Sequence, residues 1–240
     1  MLIEQWGYGG FMQKDLCDFE KKIGVEFKDK NLLKQVFVHR SYLNESPGFD
    51  LDHNERLEFL GDAVLELVST EFLYKNYKNP EGELTNWRAA LVKGVMLSEV
   101  ADGLGIDEYL YLSKGEAKSG GKARQIILAN ALEALIGALY LDLGYKACQD
   151  FIGKHLLIHL EEILDKKLYI DSKSRLQEIA QEQKGVTPVY KMLAEYGPDH
   201  AKSFSIGVYI GDNLVGEGSG ASKQTAEQAA ASNALENWKE

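Results

Sequence analysis

His53–Glu66, HNERLEFLGDAVLE, decides how the rest of the chain is read. Leu57, Leu60 and Val64, with Leu67 just beyond, recur at three- and four-residue spacing, the period of a helix that buries one face. Acids fall at Glu55, Glu58, Asp62 and Glu66. At about 100° per residue these four carboxylates project within roughly 80° of one face, with the leucines and valine opposite. A solvated face is the ordinary explanation of such a stripe. A solvated stripe, however, normally interleaves Lys or Arg to gain i,i+4 pairs, and Arg56 lies about 100° away, beside the stripe. Like charges at this spacing oppose one another. A hard divalent cation held by carboxylate oxygens, Mg²⁺ or Mn²⁺, would reverse that opposition.

A second segment offers a counterpart. LANALEALIGALYLD (Leu128–Asp142) is almost wholly apolar except for Asn130 and Glu133, three residues apart and so on one face. Polar groups in such a helix are either paired in a core or gathered at a site. Carboxylates from two facing helices are an established way to build a metal centre in a helical bundle, and ions held there can activate water against a phosphodiester.

Working outward, the first two-thirds of the chain reads as helix. The candidates are 15–23, 30–38, 54–77, 84–103, 126–143 and 145–166, broken at NESPGFD, NPEGE and the Gly-, Ser- and Lys-rich loop Ser113–Arg124. GIDEYLYLS (Gly105–Ser113) fits either an extended segment or a short helix. The pattern changes near Leu168–Asp171. A helix (174–184), strands at 188–195, 203–210 and 213–218 and a helix (222–238) follow, with IGDN as a hairpin turn. The last helix is rich in alanine, which lets it lie flat on a sheet. The expected organisation is a flexible tail at 1–14, a helical domain at 15–167, a linker at 168–172 and an α-β-β-β-α domain at 173–240.

Composition is that of an ordinary globular protein. No apolar run is read as approaching the roughly 18 residues of a membrane span, and no secretory signal is read at the N-terminus. Two distant cysteines, Cys17 and Cys148, suit a reducing compartment, so a cytoplasmic location without a membrane partner is expected. The formal charge of −10 divides into −7 for residues 1–170 and −3 for 171–240. Neither part is basic, so phosphate binding would need local basic clusters or metal ions. His155 and His159 have the spacing of a metal pair but no third ligand and read as a solvated face. His39 and His53 read as structural, and GYGG (Gly7–Gly10) as tail.

The stretch closely resembles the signature of ribonuclease III, the bacterial endonuclease of double-stranded RNA. The likeness extends through HRSYLNE (His39–Glu45), LTNWRAALV (Leu84–Val92), LSKGEAKSGG (Leu112–Gly121) and LANALEALIGALYLD, and the C-terminal segment resembles a double-stranded-RNA-binding domain. The resemblance implies an all-α nuclease domain followed by a small α+β RNA-binding domain. It implies a homodimeric, cytoplasmic enzyme that uses Mg²⁺, with Mn²⁺ a substitute and no small-molecule cofactor. Its expected products carry 5′-phosphate and 3′-hydroxyl ends with a two-nucleotide 3′ overhang, and its expected substrates include ribosomal RNA precursors. Position by position, Glu58, Asp62 and Glu133 match the metal-binding and catalytic acids, with Asn130 at a fourth ligand position. Glu55 and Glu81 match accessory acids, and Phe59 the dimer interface. Glu66 matches no catalytic position.

Asn130 departs from the aspartate usual in the family. Natural tolerance, an engineered change and a double-stranded-RNA-binding protein without cleavage are the competing explanations; retention of Glu58, Asp62 and Glu133 favours the first. In the C-terminal domain the resemblance implies RNA contacts at Gln177 and Glu178 on the first helix. It places others at Pro198, Asp199 and His200 in the following loop, and at Ser222 and Lys223 where the last helix starts. Duplex RNA is read there by shape, 2′-hydroxyls and backbone. Gln224 stands where the family commonly has a second basic residue, so modest affinity supported by dimer avidity is expected.

Overall fold

The structure, a computed structural model, describes residues 15–169, 171–198 and 202–238. Two compact units divide the chain, 1–169 and 170–240. The tail read at 1–14, and Asp199 and His200, lie outside the described residues.

Unit 1 is helical: α1 (Leu16–Ile23), α2 (Lys30–Val36), α3 (Arg40–Glu45), α4 (Glu55–Asn76), α5 (Glu81–Leu91), α6 (Gly94–Gly103), α7 (Gly121–Leu143), α8 (Tyr145–His155) and α9 (Leu160–Asp165). Its core surrounds α7, which contributes Leu128, Leu132, Leu135, Ile136 and Leu139, and closes against Phe19, Phe37, Leu65 and Leu97. Contrary to the expectation that no run approaches span length, α7 is long and apolar enough to cross a membrane by length and composition; it is largely buried in this core.

Several boundaries differ from expectation, each for a tertiary reason. The second helix stops at Val36, two residues early, because other segments take its next backbone groups. Tyr111 N–H donates to Phe37 O (2.8 Å), His39 N–H to Tyr111 O (3.1 Å) and Asn54 N–H to Val38 O (2.9 Å). The Asn54 side chain also donates to Val36 O at 2.9 Å, so the start of α4 is fastened to the end of α2. Helix α3, absent from the expected set, is only six residues and depends on His39 Nδ1, which accepts the Ser41 N–H. The single helix expected over 84–103 is two, because Val92 N–H closes α5 onto Arg88 O and Lys93 is extended before α6. Both halves keep helical spacing, so the break leaves no mark on the period. GIDEYLYLS holds both alternatives: a 3-10 turn at Ile106–Tyr109, then an extended bridge from Tyr111 to Val38.

Helix α4 buries a different face from the expected one. Leu57 and Val64 are 5% exposed, and Gly61, Leu65, Val68 and Ser69 are also buried. Leu67, expected in the apolar face, is 57% exposed and shares a stripe with Phe59 (82%) and Tyr74 (75%). The acids border the buried face instead of standing opposite it. Glu58 and Asp62 therefore reach the seam where α7 packs.

Unit 2 comprises α10 (Ser172–Lys184), an antiparallel sheet of β1 (Val189–Tyr196), β2 (Ser203–Ile210) and β3 (Asn213–Gly220) in that order, and α11 (Lys223–Glu236). The register pairs Lys191 with Gly207 and Gly207 with Glu217, with irregularities at Met192/Ala194 and Val208/Tyr209. Ile206 and Val208 face a small core of Leu176, Ala226, Ala230, Ala231 and Ala234. Alternate residues Gly216, Gly218 and Gly220 of β3 lie against α11. A Cβ on Gly218 would come within 2.1 Å of the Ala230 backbone nitrogen. Glycines facing alanines let helix and strand touch backbone to backbone.

Candidate metal centre and nucleic-acid interface

The centre is built where α4 crosses α7. A Cβ on Gly61 would lie 1.7 Å from Glu133 O, and one on Gly137 would lie 2.1 Å from Leu57 O. Only glycine at both positions lets the two backbones come this close. Asp62 adjoins one glycine and Glu58 stands one turn before it; Glu133 stands one turn before the other, with Asn130 a further turn back. A contact between backbones thus sets acids from two helices across one seam.

Electrostatics show the same juxtaposition. The Glu133 carboxyl is half-buried and its pKa is raised to about 7, first by burial and then by the charges of Asp62 and Glu58. Glu58 is raised as well, by burial and then by Glu55 and Asp62, while the Asn130 amide donates to it and favours its charged form. Asp62 is exposed at the edge of the group. Among the described residues no three Asp, Glu, His or Cys side chains already converge as a ready-made metal cage. Asp62 acts on both Glu58 and Glu133, Glu58 also acts on Glu133, and the causes of these two shifts include no Lys or Arg. Oxygen-only donors carrying like charge, half-desolvated and without a cationic side chain, fit a hard divalent cation.

The other acids of the stripe have cationic partners. Glu55 pairs with Arg40 at 3.2 Å, with His53 3.8 Å away. Glu66 pairs with Arg88 at 2.8 Å, and Arg88 also donates to Thr70; it is a structural ion pair on the helix surface. Glu81 lies exposed in the first turn of α5, where it accepts the Thr85 hydroxyl, and no described interaction joins it to the acids at the α4–α7 seam. Phe59 is the most exposed large apolar side chain described.

Two features went unremarked in the sequence. The paired glycines were visible as Gly inside helical apolar runs, a recognised sign of close backbone approach. Glu116, in the 3-10 turn Glu116–Lys118, acts electrostatically on His39 alongside Glu55; its signal was its place in LSKGEAKSGG. Of the histidines read as a solvated face, His155 is instead half-buried: its ring lies tilted against Phe151 and burial lowers its pKa.

In unit 2, Gln177 and Glu178 project exposed from α10, Glu178 pairing with Arg175 at 3.4 Å. Pro198 is exposed where β1 ends. The Ser222 hydroxyl accepts the Thr225 N–H and Thr225 Oγ1 accepts the Ser222 N–H. This capping box fixes the start of α11 and presents its free N–H groups. Lys223 Nζ lies 5.9 Å from the Phe204 ring centroid.

Comparison with known proteins agrees with this geometry. Residues 29–160 match the Ribonuclease-III-like family and residues 172–237 the double-stranded RNA binding motif. The chain is 44% identical over 226 residues to Ribonuclease 3 of Treponema denticola, covering 94% of this chain and 92% of that protein. It is 46% identical over 217 residues to Ribonuclease 3 of Protochlamydia amoebophila, covering 90% and 89%. A solved structure of the nuclease domain of ribonuclease III from Campylobacter jejuni, described for structural flexibility in a region involved in dimer formation, is 39% identical. It matches with a TM-score of 0.53 over 58% of this chain and 94% of that one. With a helical unit, an α-β-β-β-α unit and both family patterns in one order along it, this chain belongs to the ribonuclease III family.

Proposed function

We infer that this chain is an endoribonuclease that hydrolyses phosphodiester bonds of double-stranded RNA. The observation that carries the reading is the seam of α4 and α7, where close backbone contact at Gly61 and Gly137 sets Glu58 and Asp62 beside Glu133 and their charges raise the Glu133 pKa, with no cationic side chain among the causes. These three carboxylates, with the Asn130 carbonyl as a neutral fourth donor, would hold a divalent cation, Mg²⁺ with Mn²⁺ as substitute. Bound there, the cation supplies a water acidified toward hydroxide and neutralises charge on the phosphodiester.

The chain's own groups do the rest. The glycine crossing fixes the separation of the two backbones that carry Glu133 and the α4 acids, so it is side chains that must turn to converge when the cation and RNA arrive. Glu133 and Asp62 would orient an attacking water, one of the two carboxylates taking up its proton. Glu55, tied to Arg40, flanks the acids as an accessory group, and Glu81 is assigned the same role from the family pattern. Gln177 and Glu178 reach 2′-hydroxyls, and Pro198, Asp199 and His200 enter the next minor groove. Ser222 and Lys223 meet phosphates at the start of α11. The domains are proposed at 15–167 and 173–240, joined by 168–172 after a tail at 1–14.

The exposed stripe Phe59, Leu67 and Tyr74 supports a homodimer, since large apolar side chains aligned along one helix suit a self-complementary face. Two sites in such a dimer would cut opposite strands, leaving 5′-phosphate and 3′-hydroxyl ends with a two-nucleotide 3′ overhang. Ribosomal RNA precursors in the cytoplasm are the proposed substrates. The reading without cleavage is not favoured, because the acid cluster survives Asn130 intact. Incubating long duplex RNA with the protein and Mg²⁺ or Mn²⁺ tests the proposal: short 5′-phosphorylated fragments support it, and intact RNA shifted on a gel contradicts it.

A further inference from the structure

Between the signature helix and the Ser113–Ser119 loop lies a chain of hydrogen bonds the reaction does not explain. His39 Nδ1 accepts the Ser41 N–H at 3.3 Å and lies 2.8 Å from Ser41 Oγ. Ser41 Oγ in turn accepts the Ser113 N–H at 3.1 Å. An amide can only donate, so the Nδ1 lone pair is required on one side and the hydroxyl lone pair on the other. The Ser41 proton then points to Nδ1, and the ring carries its own proton on Nε2. Burial, the largest influence on this imidazole, lowers its pKa.

The chain continues into the loop. Ser113 Oγ accepts the Glu116 N–H at 3.2 Å, Ser113 O accepts the Ala117 N–H at 2.9 Å, and Glu45 at the end of α3 accepts the Lys114 N–H at 3.1 Å. His39 is also joined through its backbone to Tyr111, and its neighbour Val38 to Asn54 at the head of α4. One segment therefore clasps both the signature helix and the loop. Arg40, next to His39, pairs with Glu55 at 3.2 Å, so the segment that holds the loop also reaches the Glu55 end of the stripe. The loop carries exposed Lys114 and Lys118 on either side of Glu116, two cations of the kind that a net-acidic unit needs in order to meet phosphates.

We propose that His39 and Ser41 are positioning residues: through Ser113 they hold the lysine-bearing loop beside the acid stripe, where its cations meet duplex phosphates. This rests on the endonuclease reading above. Three variants of the full chain test it. Ser41→Ala removes the acceptor of the Ser113 N–H. His39→Asn keeps an acceptor where Nδ1 stood and remains a good helix cap. His39→Gln puts its amide near the Nε2 position and loses the cap.

Losing one such hydrogen bond predicts about a tenfold rise in KM for duplex RNA in S41A and H39Q, with kcat nearly unchanged. Amide exchange across residues 112–117 should quicken by a similar factor, while H39N stays close to the parent in both readouts. Unchanged KM and exchange in S41A would overturn the proposal. So would an H39Q variant that behaves like the parent while H39N fails, since Nε2 would then be the working atom. If the parent chain cleaves no duplex with either metal, the endonuclease reading fails, and duplex affinity with amide exchange still decides the relay.

Discussion

Glycine brings backbones into contact in both units, to different ends. In unit 1, Gly61 and Gly137 let α4 and α7 touch, and the residues around the contact are Glu58, Asp62, Asn130 and Glu133. In unit 2, Gly216, Gly218 and Gly220 let β3 touch α11, and the residues opposite are Ala226, Ala230 and Ala234. The first contact gathers like charges that burial disfavours. The second buries small apolar groups and sets the start of a helix on a sheet. Close approach is thus a neutral device, and what flanks it decides whether a chemical centre or a scaffold results.

Substitution at each glycine should separate the two cases. Gly61→Ala forces a methyl into the Glu133 carbonyl, so the helices must part and the acids with them. Cleavage of duplex RNA should fall about a hundredfold or more, since displacements near 1 Å cost that much, while gel-shift affinity for the duplex stays close to the parent value. Gly218→Ala should do the reverse. Overpacking of this kind destabilises by about 1–3 kcal/mol, so duplex affinity drops and the second unit melts earlier, while the melting of the nuclease unit is unchanged in calorimetry.

Glu133→Gln sharpens the charge side of the comparison. Its carboxyl binds a proton more tightly in the folded than in the unfolded chain. Its stabilising contribution is therefore present below about pH 4.5 and lost as pH rises toward about 7. In metal-free protein at pH 8 the glutamine variant should melt about 2–4 °C higher than the parent, the shift of roughly 1 kcal/mol after solvent screening. At pH 4.5 the gap should close. The smallest effect is expected of Asn130→Asp, which adds a charged ligand: the Mg²⁺ concentration for half-maximal cleavage should fall about threefold, under 1 kcal/mol. Superimposable titrations of the two proteins would remove Asn130 from the centre.

Much of this was legible from residue spacing. The three-and-four pattern put Glu58 and Asp62 on one face, and alternation around IGDN located the hairpin of unit 2. What spacing could not do was tell the acids apart. Glu55, Glu58, Asp62 and Glu66 share one helical face; the family resemblance sorted them by position, and partners from other segments, Arg40 for Glu55 and Arg88 for Glu66, supply the physical difference. The same limit hid α3, whose six residues depend on the His39 cap, and turned Leu67 outward, because the buried face of α4 is set by where α7 packs. Val38 left its helix because Tyr111 and Asn54 claimed the backbone around it. Each departure is a tertiary partner overriding a local period.

The central claim is that the α4–α7 seam is a divalent-metal centre for cutting duplex RNA. Cleavage of one long duplex by the parent and by Glu133→Gln, in chelator and then across a Mg²⁺ titration, tests it most directly, with duplex affinity measured in chelator as the control. The account predicts equal duplex binding by both proteins, no cleavage in chelator, and metal-dependent fragments from the parent alone. Parental cleavage in chelator, or cutting by the glutamine variant at the parental rate, would contradict it.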